Sequence, residues 1–344
     1  MDNMSNIFKD SIIKIGFIGA GNHAAMVLYP AIQSFEQAKI VSVCDLDKER
    51  AEFVGSRFGA EGIYTDYCEM VEKEELDAIF CCGGPKLHYE AICDLVGKGK
   101  PIFVEKPPAP RADEVKKIAL LAEQYNTHIM VAFMHRYANI TAWAKKAMGT
   151  TEFGKLMMLS AKEGIWGTEI NNVVMDSGIH HIDLLRYLGG DIKWLLAANS
   201  TDGRKRHGFA VTVCFQNGAV GTLNINSLES LSTPSDVIEI YGENGQWIKL
   251  DNWDKATWYR DSGKLWSPPD DPRNSSLIYE HSWTGASTNR SAKLQGYIDE
   301  VAHFLSCVAN GNAPKPDLWD GFKAMQIVEA IYESARSGEK VYFE

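Results

Sequence analysis

The chain has 344 residues, of which 45% are hydrophobic and 23% charged, and it carries a formal net charge of −10. This is the composition of an ordinary soluble globular protein, long enough for two domains. The acidic balance argues against nucleic acid and anionic membrane as main partners, because both reward basic patches, and no apolar run approaches the roughly 20 residues of a membrane span.

Residues 1–11 are polar and carry no signal-peptide core. Seven cysteines are scattered at 44, 68, 81, 82, 93, 214 and 307 without a Cys-x-x-Cys. An odd count with no framework predicts reduced thiols and a cytoplasmic protein.

Ile12 to Ile18 is a β-branched run and predicts a buried parallel strand. It runs into Gly19-Ala20-Gly21-Asn22-His23-Ala24, with a helix expected from His23 to Ser34. This is the G-x-G-x-x-A form of the dinucleotide fingerprint. Gly19 serves the tight turn. Gly21 lets the backbone approach a pyrophosphate, and the free N–H groups of the helix start, at Asn22 and His23, face it. The fingerprint needs a strand before, a helix after and an acid about 20 residues on. The acid is Asp45, at the end of the second strand, Lys39 to Cys44. A carboxylate there accepts from the ribose hydroxyls and repels a 2′-phosphate, which favours NAD and leaves NADP open. The alternative is that Asp45 caps the helix that starts near Asp47.

The alternation continues. A helix opens at Asp66, a strand covers Asp77–Cys82, and Gly83-Gly84-Pro85 leads into a helix from Leu87 to Lys98. His88 falls after the fourth strand, either at the cofactor edge or as a plain helix-start histidine. Pro101 to Glu105 is the fifth strand and ends in Lys106-Pro107-Pro108. Ligands of such sheets lie beyond the carboxyl ends of the strands, which is where Lys106 stands. A helix from Asp113 to Tyr125 and a strand from His128 to Phe133 complete a parallel, doubly wound α/β sheet.

After His135-Arg136-Tyr137 the pattern changes. A helix is expected over Asn139–Met148, then strands over Leu156–Ile165, Lys193–Ser200, Phe209–Phe215, Ala219–Ser227, Val237–Tyr241 and Gln246–Leu250. Hairpin turns such as Gln216-Asn217-Gly218 join some of them. The expectation is an α+β domain with a large, mostly antiparallel open sheet, one face covered and the other a subunit interface. Residues 251–290 read as a long irregular insertion, a lid or an oligomer arm, followed by helices over 291–310 and 319–336 and a short last strand. Domain boundaries are expected at 10–136 and 137–344.

A second constellation is Met175-Asp176-Ser177-Gly178-Ile179-His180-His181-Ile182-Asp183. Asp176, His180 and Asp183 share one face of a helix. On the residues alone this is an N-capping Asp176 followed by surface histidines. The competing reading is a carboxylate that sets the tautomer of a proton-shuttling histidine. A metal reading of His180, His181 and Asp183 is set aside, since adjacent helical residues diverge. No metal is assigned.

Taken together, Gly19-Ala20-Gly21, Asp45, Pro85-x-x-His88, Glu105-Lys106-Pro107 and Asp176-x-x-x-His180-x-x-Asp183 resemble the glucose–fructose oxidoreductase/inositol dehydrogenase (Gfo/Idh/MocA) family in order and spacing. The resemblance covers nearly the whole chain apart from 251–290. It implies a Rossmann domain followed by an oligomerising α+β domain, NAD or NADP as cofactor, and a carbinol of a sugar, polyol or sugar nucleotide as substrate. It implies that Lys106 is the active-site lysine, His180 the general acid/base, Asp176 its partner carboxylate and Asp183 a substrate ligand, with Arg136 close by or in a structural salt bridge. Pro85, His88 and Glu105 belong to the cofactor loops. The chain departs from the family at Cys82-Gly83-Gly84, where many members have Thr or Ser before the proline. Relatives with retained NAD that act as glycosidases, and sugar-sensing regulators without turnover, supply the alternative functions. A homodimer or homotetramer is expected.

Overall fold

The structure, a computed structural model, describes residues 12–165, 172–203, 206–229, 235–262, 275–280 and 290–343. The reading of residues 1–11, and those parts of 251–290 that fall in 263–274 and 281–289, lie outside the described residues. The chain divides into two compact units, Met1–Met134 with Gly296–Met325, and His135–Gln295 with Gln326–Glu344.

The first unit alternates β1 (Ile13–Ile18), α1 (Tyr29–Gln33), β2 (Ala38–Cys44), α2 (Lys48–Phe58), β3 (Gly62–Tyr64), α3 (Tyr67–Lys73), β4 (Ala78–Cys81), α4 (Pro85–Leu95), β5 (Ile102–Val104), α5 (Ala112–Gln124) and β6 (Ile129–Val131). The strands form one parallel sheet in the order β3-β2-β1-β4-β5-β6. Both faces of its centre are covered, which explains the unbroken apolar runs: Phe17, Phe80 and Phe103 are fully buried and stack across three strands. The strand order reverses at β1, between β2 and β4. The carboxyl ends of β1 and β4 therefore open a crevice, and Gly19 and Gly83 stand at it.

The second unit contains α6 (Asn139–Met148), β7 (Leu156–Gly164), α7 (Ile179–Gly189), β8 (Ile192–Thr201), β9 (His207–Phe215), β10 (Val220–Asn226), β11 (Asp236–Gly242), β12 (Trp247–Asp251), β13 (Lys255–Arg260) and β14 (Ser275–Glu280). There follow α8 (Arg290–Leu294), α9 (Tyr297–Asn310), α10 (Leu318–Ser337) and β15 (Val341–Tyr342), of which α9 and α10 as far as Met325 belong to the first unit. The nine strands run β14-β13-β12-β11-β7-β10-β9-β8-β15, antiparallel except for β7 beside β10. One face is covered. Along β10, Gly221, Leu223 and Ile225 are buried while Val220, Thr222 and Asn224 are exposed. Ile225 packs against Gly178 before α7, and Phe215 against Gly189 at its end.

Two sequence expectations change. The stretch 251–290 is not simply irregular, because β13 and β14 extend the sheet by two antiparallel strands. The histidines of the second constellation are not on the surface: His180 is 8% and His181 1% exposed. Nor is Asp176 an N-cap. It lies inside a π-helical turn, Val174–Gly178, that feeds α7. Such turns widen a helix locally and are frequent at functional sites.

Candidate active site

The nucleotide end of the first unit is built around Gly19. Its N–H donates to the Cys44 carbonyl at 2.8 Å, and its own carbonyl accepts from the hydroxyl of Tyr29 at 3.2 Å. Tyr29 is fully buried and stacks on Phe17 at 4.0 Å, so α1 itself fixes the turn. Beyond it Gly21, Asn22 and His23 lie at the open start of the helix, and a Cβ built on Gly21 would have nothing within 4 Å. That open space over free N–H groups fits a pyrophosphate.

Asp45 is not the cap of α2. Its Oδ2 accepts from Ala20 N at 2.8 Å and its Oδ1 from Asp47 N at 2.9 Å. The cap of α2 is Asp47, which accepts from Arg50 N. Asp45 thus ties the fingerprint turn to the end of β2, and it also lines a cavity of about 740 Å³ with Leu46, Arg50, Thr65 and Leu87. A cavity of this size and place suits an adenosine moiety.

Lys106 follows β5 on a loop held from both sides. The buried carboxylate of Glu105 accepts from Lys106 N at 3.1 Å and meets His23 Nε2 at 3.3 Å. The hydrogen bond to Glu105 raises the His23 pKa above its ordinary value against the cost of burial. On the other side, the Lys106–Pro107 peptide is cis. The Pro107 carbonyl accepts from His88 Nδ1 at 2.8 Å, and His88 Nε2 accepts from Gly83 N at 2.9 Å. His88 is fully buried and burial pushes its pKa down, which keeps it neutral, one nitrogen donating and the other accepting. This corrects its expected place at the cofactor edge. His88 offers no nitrogen to a ligand; it pins the Gly83 turn to the Lys106 loop. Pro85 starts α4 at that turn.

In the second unit α7 carries His180 and Asp183. Asp183 is 1% exposed, and both its oxygens accept from Arg136, Oδ2 from Nε at 2.7 Å and Oδ1 from Nη2 at 2.6 Å. The guanidinium also lies over the Tyr187 ring at 5.0 Å. A buried bidentate pair of this kind is rigid and geometrically specific. Asp176, one turn before His180, is exposed. His180 meets the ring of His135 edge to face at 5.1 Å, and His135 in turn stacks flat on Trp253 at 3.7 Å. Sequence reasoning assigned nothing to His135, Trp253, Glu163 or Asp236, because no motif spacing links residues so far apart in the chain.

Among the described residues no helix is long and apolar enough to cross a membrane. A family profile described as "oxidoreductase family, NAD-binding Rossmann fold" matches residues 13–133, and its companion "oxidoreductase family, C-terminal alpha/beta domain" matches residues 167–343. The D-apiose dehydrogenase of Paraburkholderia graminis is 25% identical across 97% of this chain and 89% of its own. The inositol 2-dehydrogenase of Rubrobacter xylanophilus is 23% identical across 95% of this chain and 92% of its own. A levoglucosan dehydrogenase in complex with NADH superposes with a TM-score of 0.85 at 21% identity, covering 97% of this chain and 100% of that one. A dehydrogenase from Chromobacterium violaceum gives 0.84 at 18% identity, covering 95% and 96%. The two structural likenesses speak for the fold, and the two matching profiles together span most of the chain. With the fingerprint turn, Asp45 and the switch-point crevice in place, the chain belongs to the Gfo/Idh/MocA oxidoreductase family, and its first unit is the NAD-binding Rossmann domain.

Proposed function

We propose that the protein transfers hydride between NAD, rather than NADP, and a secondary carbinol of a neutral polyhydroxylated molecule, a sugar, inositol, other polyol or sugar nucleotide. The observation that carries this reading is the buried His180 in a unit whose Arg136 is already matched by Asp183. The Arg136 guanidinium is taken up by Asp183, so an anionic substrate gains little there, whereas hydroxyl groups still find lone pairs and donors. The names of relatives agree: they include dehydrogenases of D-apiose, inositol and levoglucosan. Asp45 on the wall of the nucleotide cavity disfavours a 2′-phosphate, and the nearby cation, Arg50, is engaged by Asp47 at 3.1 Å.

The roles divide as follows. NAD, held by the first unit, would supply the hydride acceptor or donor. His180 takes the hydroxyl proton at a ring nitrogen as the carbonyl forms, and gives it back in the reverse direction. Lys106 stabilises the negative charge that develops in the reaction. Asp176 sets the orientation of His180, and the Arg136–Asp183 pair fixes the substrate's hydroxyl groups. Gly19, Gly21, Asn22, His23 and Asp45 hold the dinucleotide, with Pro85 and Glu105 shaping the loops that border it.

The test is the nicotinamide absorption band of the purified protein, read before and after NAD and a panel of sugars, inositols and sugar nucleotides. Reduced cofactor accumulating in proportion to substrate is the expected result. Bound NAD with no net reduction would replace this reading with a retained-NAD glycosidase or a sensor, and a glycoside-cleavage assay separates those two.

We further propose that the protein is a homodimer or homotetramer through the outer face of the large sheet. Supporting this, Met158, Val220 and Ile278 are exposed large apolar side chains on its strands. On the same sheet Trp247 stacks between Tyr241 and Tyr259 at 5.7 and 4.1 Å. Apolar surface of this extent marks an interaction site. Light scattering at micromolar protein should give at least twice the monomer mass, and a monomer would end the proposal.

A further inference from the structure

Two carboxylates face each other across neighbouring strands of the large sheet. Glu163 on β7 and Asp236 on β11 are register partners. Like charges placed directly opposite destabilise a sheet, and here Glu163 is buried, its side chain 7% exposed, and Asp236 is partly buried at 27%. Such a pair calls for a cation between them, and α7 places a histidine there. His181, 1% exposed, has Nδ1 at 3.1 Å from Glu163 Oε2 and Nε2 at 3.4 Å from Asp236 Oδ1. The three residues also have the spacing of a metal-binding group, with one donor atom each inside 4.8 Å of the others. The carboxylates, however, stand at opposite ring nitrogens. A metal ion occupies one nitrogen of a ring, whereas an imidazolium offers a proton at both.

The remaining oxygens lead further. Glu163 Oε1 accepts from the Ser177 hydroxyl at 2.7 Å, four residues before His181 on the same helical face. Asp236 Oδ2 accepts from Trp253 Nε1 at 2.8 Å. Trp253 is held at φ 67°, a conformation that a bulky residue keeps only when its surroundings impose it. Its indole stacks on His135 at 3.7 Å with 9° between the planes, and His135 meets His180. His180 is therefore gripped twice, through the backbone it shares with His181 and through the ring of His135.

We propose that Glu163 and Asp236 form a two-carboxylate slot that holds His181 as a buried cation, and that this bracket, closed by Trp253 and His135, positions His180. The inference rests on His180 being the acid/base group of the proposed function. Glu163, His181, Asp236 and Trp253 are positioning residues; none of them is assigned a contact with substrate. Burial alone would push His181 down, but the charges of Glu163 and Asp236 raise it above its ordinary value. Among the described residues, the other titratable or charged groups around the slot are His135, His180 and Glu229, the last engaged by Lys162 and Ser235.

The test uses the full-length protein labelled with 15N-histidine, with His180 and His181 assigned by H180N and H181Q. His181 should keep both ring nitrogens protonated between about pH 5 and 8, and E163Q should lower the pH at which it loses a proton. The His180 ring signals should shift in E163Q and also in W253F, which keeps an aromatic ring against His135 but drops the N–H; W253F keeps the test open if E163Q does not fold. Turnover of both variants should fall by up to about a hundredfold with NAD affinity unchanged, the scale of an ångström-sized misplacement. A neutral His181 at neutral pH, stoichiometric zinc retained by the purified protein or taken up from zinc chloride, or His180 signals unmoved in both variants would each overturn the bracket. Full turnover in H180N would instead remove the acid/base reading, and the protonation state of His181 would stand apart from it.

Discussion

Replacing Lys106 with methionine is expected to lower kcat by about a hundredfold to a thousandfold, roughly 3–4 kcal/mol of transition-state stabilisation, while leaving NAD affinity near normal. Methionine nearly matches the length and apolar stem of lysine and removes only the charge. The surrounding frame survives the change, because it is built from the Lys106 backbone and its neighbours. Glu105 still accepts from the residue-106 N–H, and His88 still donates to the Pro107 carbonyl. The loss therefore reports the ammonium group alone. Arginine at the same position keeps the charge but spreads it over a larger planar fork, so K106R should recover only part of the rate. The measurements are single-turnover hydride transfer, followed at the nicotinamide band, and NAD titration by protein fluorescence. Near-normal turnover in K106M would strip Lys106 of its role. A large loss of NAD affinity would mean that the lysine serves the cofactor instead.

How much of this was legible in the sequence depends on how far apart the cooperating residues lie. The Rossmann unit reads easily because each of its parts is local. An apolar run ends in Gly19, a second ends in Asp45, and each strand is followed by its helix within a few residues. Asn139–Met148 came out as the helix predicted, since apolar spacing and a following Gly149 are local too. The short β3 has only three residues, all partly exposed, and carries too little pattern to declare itself. Strands β13 and β14 hid in a stretch rich in Trp, Asp, Ser and Pro, where composition suggests a loop. What makes them strands is pairing, Leu250 against Ala256 and Trp258 against Leu277, which is settled across the sheet. The same limit applies to α9. Its Phe304 packs edge-on against Phe80 and Phe103, on strands two hundred residues earlier in round terms, and nothing in its own pattern names that target.

The histidines show the limit most clearly. His88 looked available because it follows a strand end, and helical spacing put His180 and His181 at a helix start. Spacing does not say which face is covered. His88 turned inward, where Gly83 and Pro107 absorb both nitrogens, and His181 turned onto Glu163 and Asp236. The Asp183 and Arg136 readings met in one bidentate pair. The sequence offered a structural salt bridge for Arg136 as one alternative but named no partner, since the partner depends on where α7 lies relative to the chain at Arg136 within the same unit.

Gly19 and Gly21 should respond to alanine in opposite ways, although both belong to one fingerprint. At Gly19 the backbone has φ 100°, and an added Cβ would lie 1.9 Å from the Cys82 carbonyl oxygen. That oxygen cannot yield easily, because the Cys82 N–H is bound to the Ile18 carbonyl at the end of the sheet. Nor can Gly19 retreat, held by the Cys44 carbonyl and the Tyr29 hydroxyl. G19A is therefore expected to cost more than about 4 kcal/mol of stability, the range reserved for severe steric conflict at a special backbone position. At Gly21 the added methyl meets nothing within 4 Å. The fold of G21A should be as stable as the parent or better by about 0.5 kcal/mol, since alanine loses less entropy on ordering. The methyl does occupy the space that a pyrophosphate needs for close approach to the backbone, so NAD affinity should fall by about a hundredfold, near 3 kcal/mol. Urea denaturation without cofactor measures the first pair of effects and NAD titration the second. If G21A bound NAD like the parent, the pyrophosphate would not lie over Gly21 and the fingerprint assignment at that residue would fail. If G19A unfolded at the same urea concentration as the parent, the turn would have an alternative conformation that leaves the Cys82 carbonyl undisturbed.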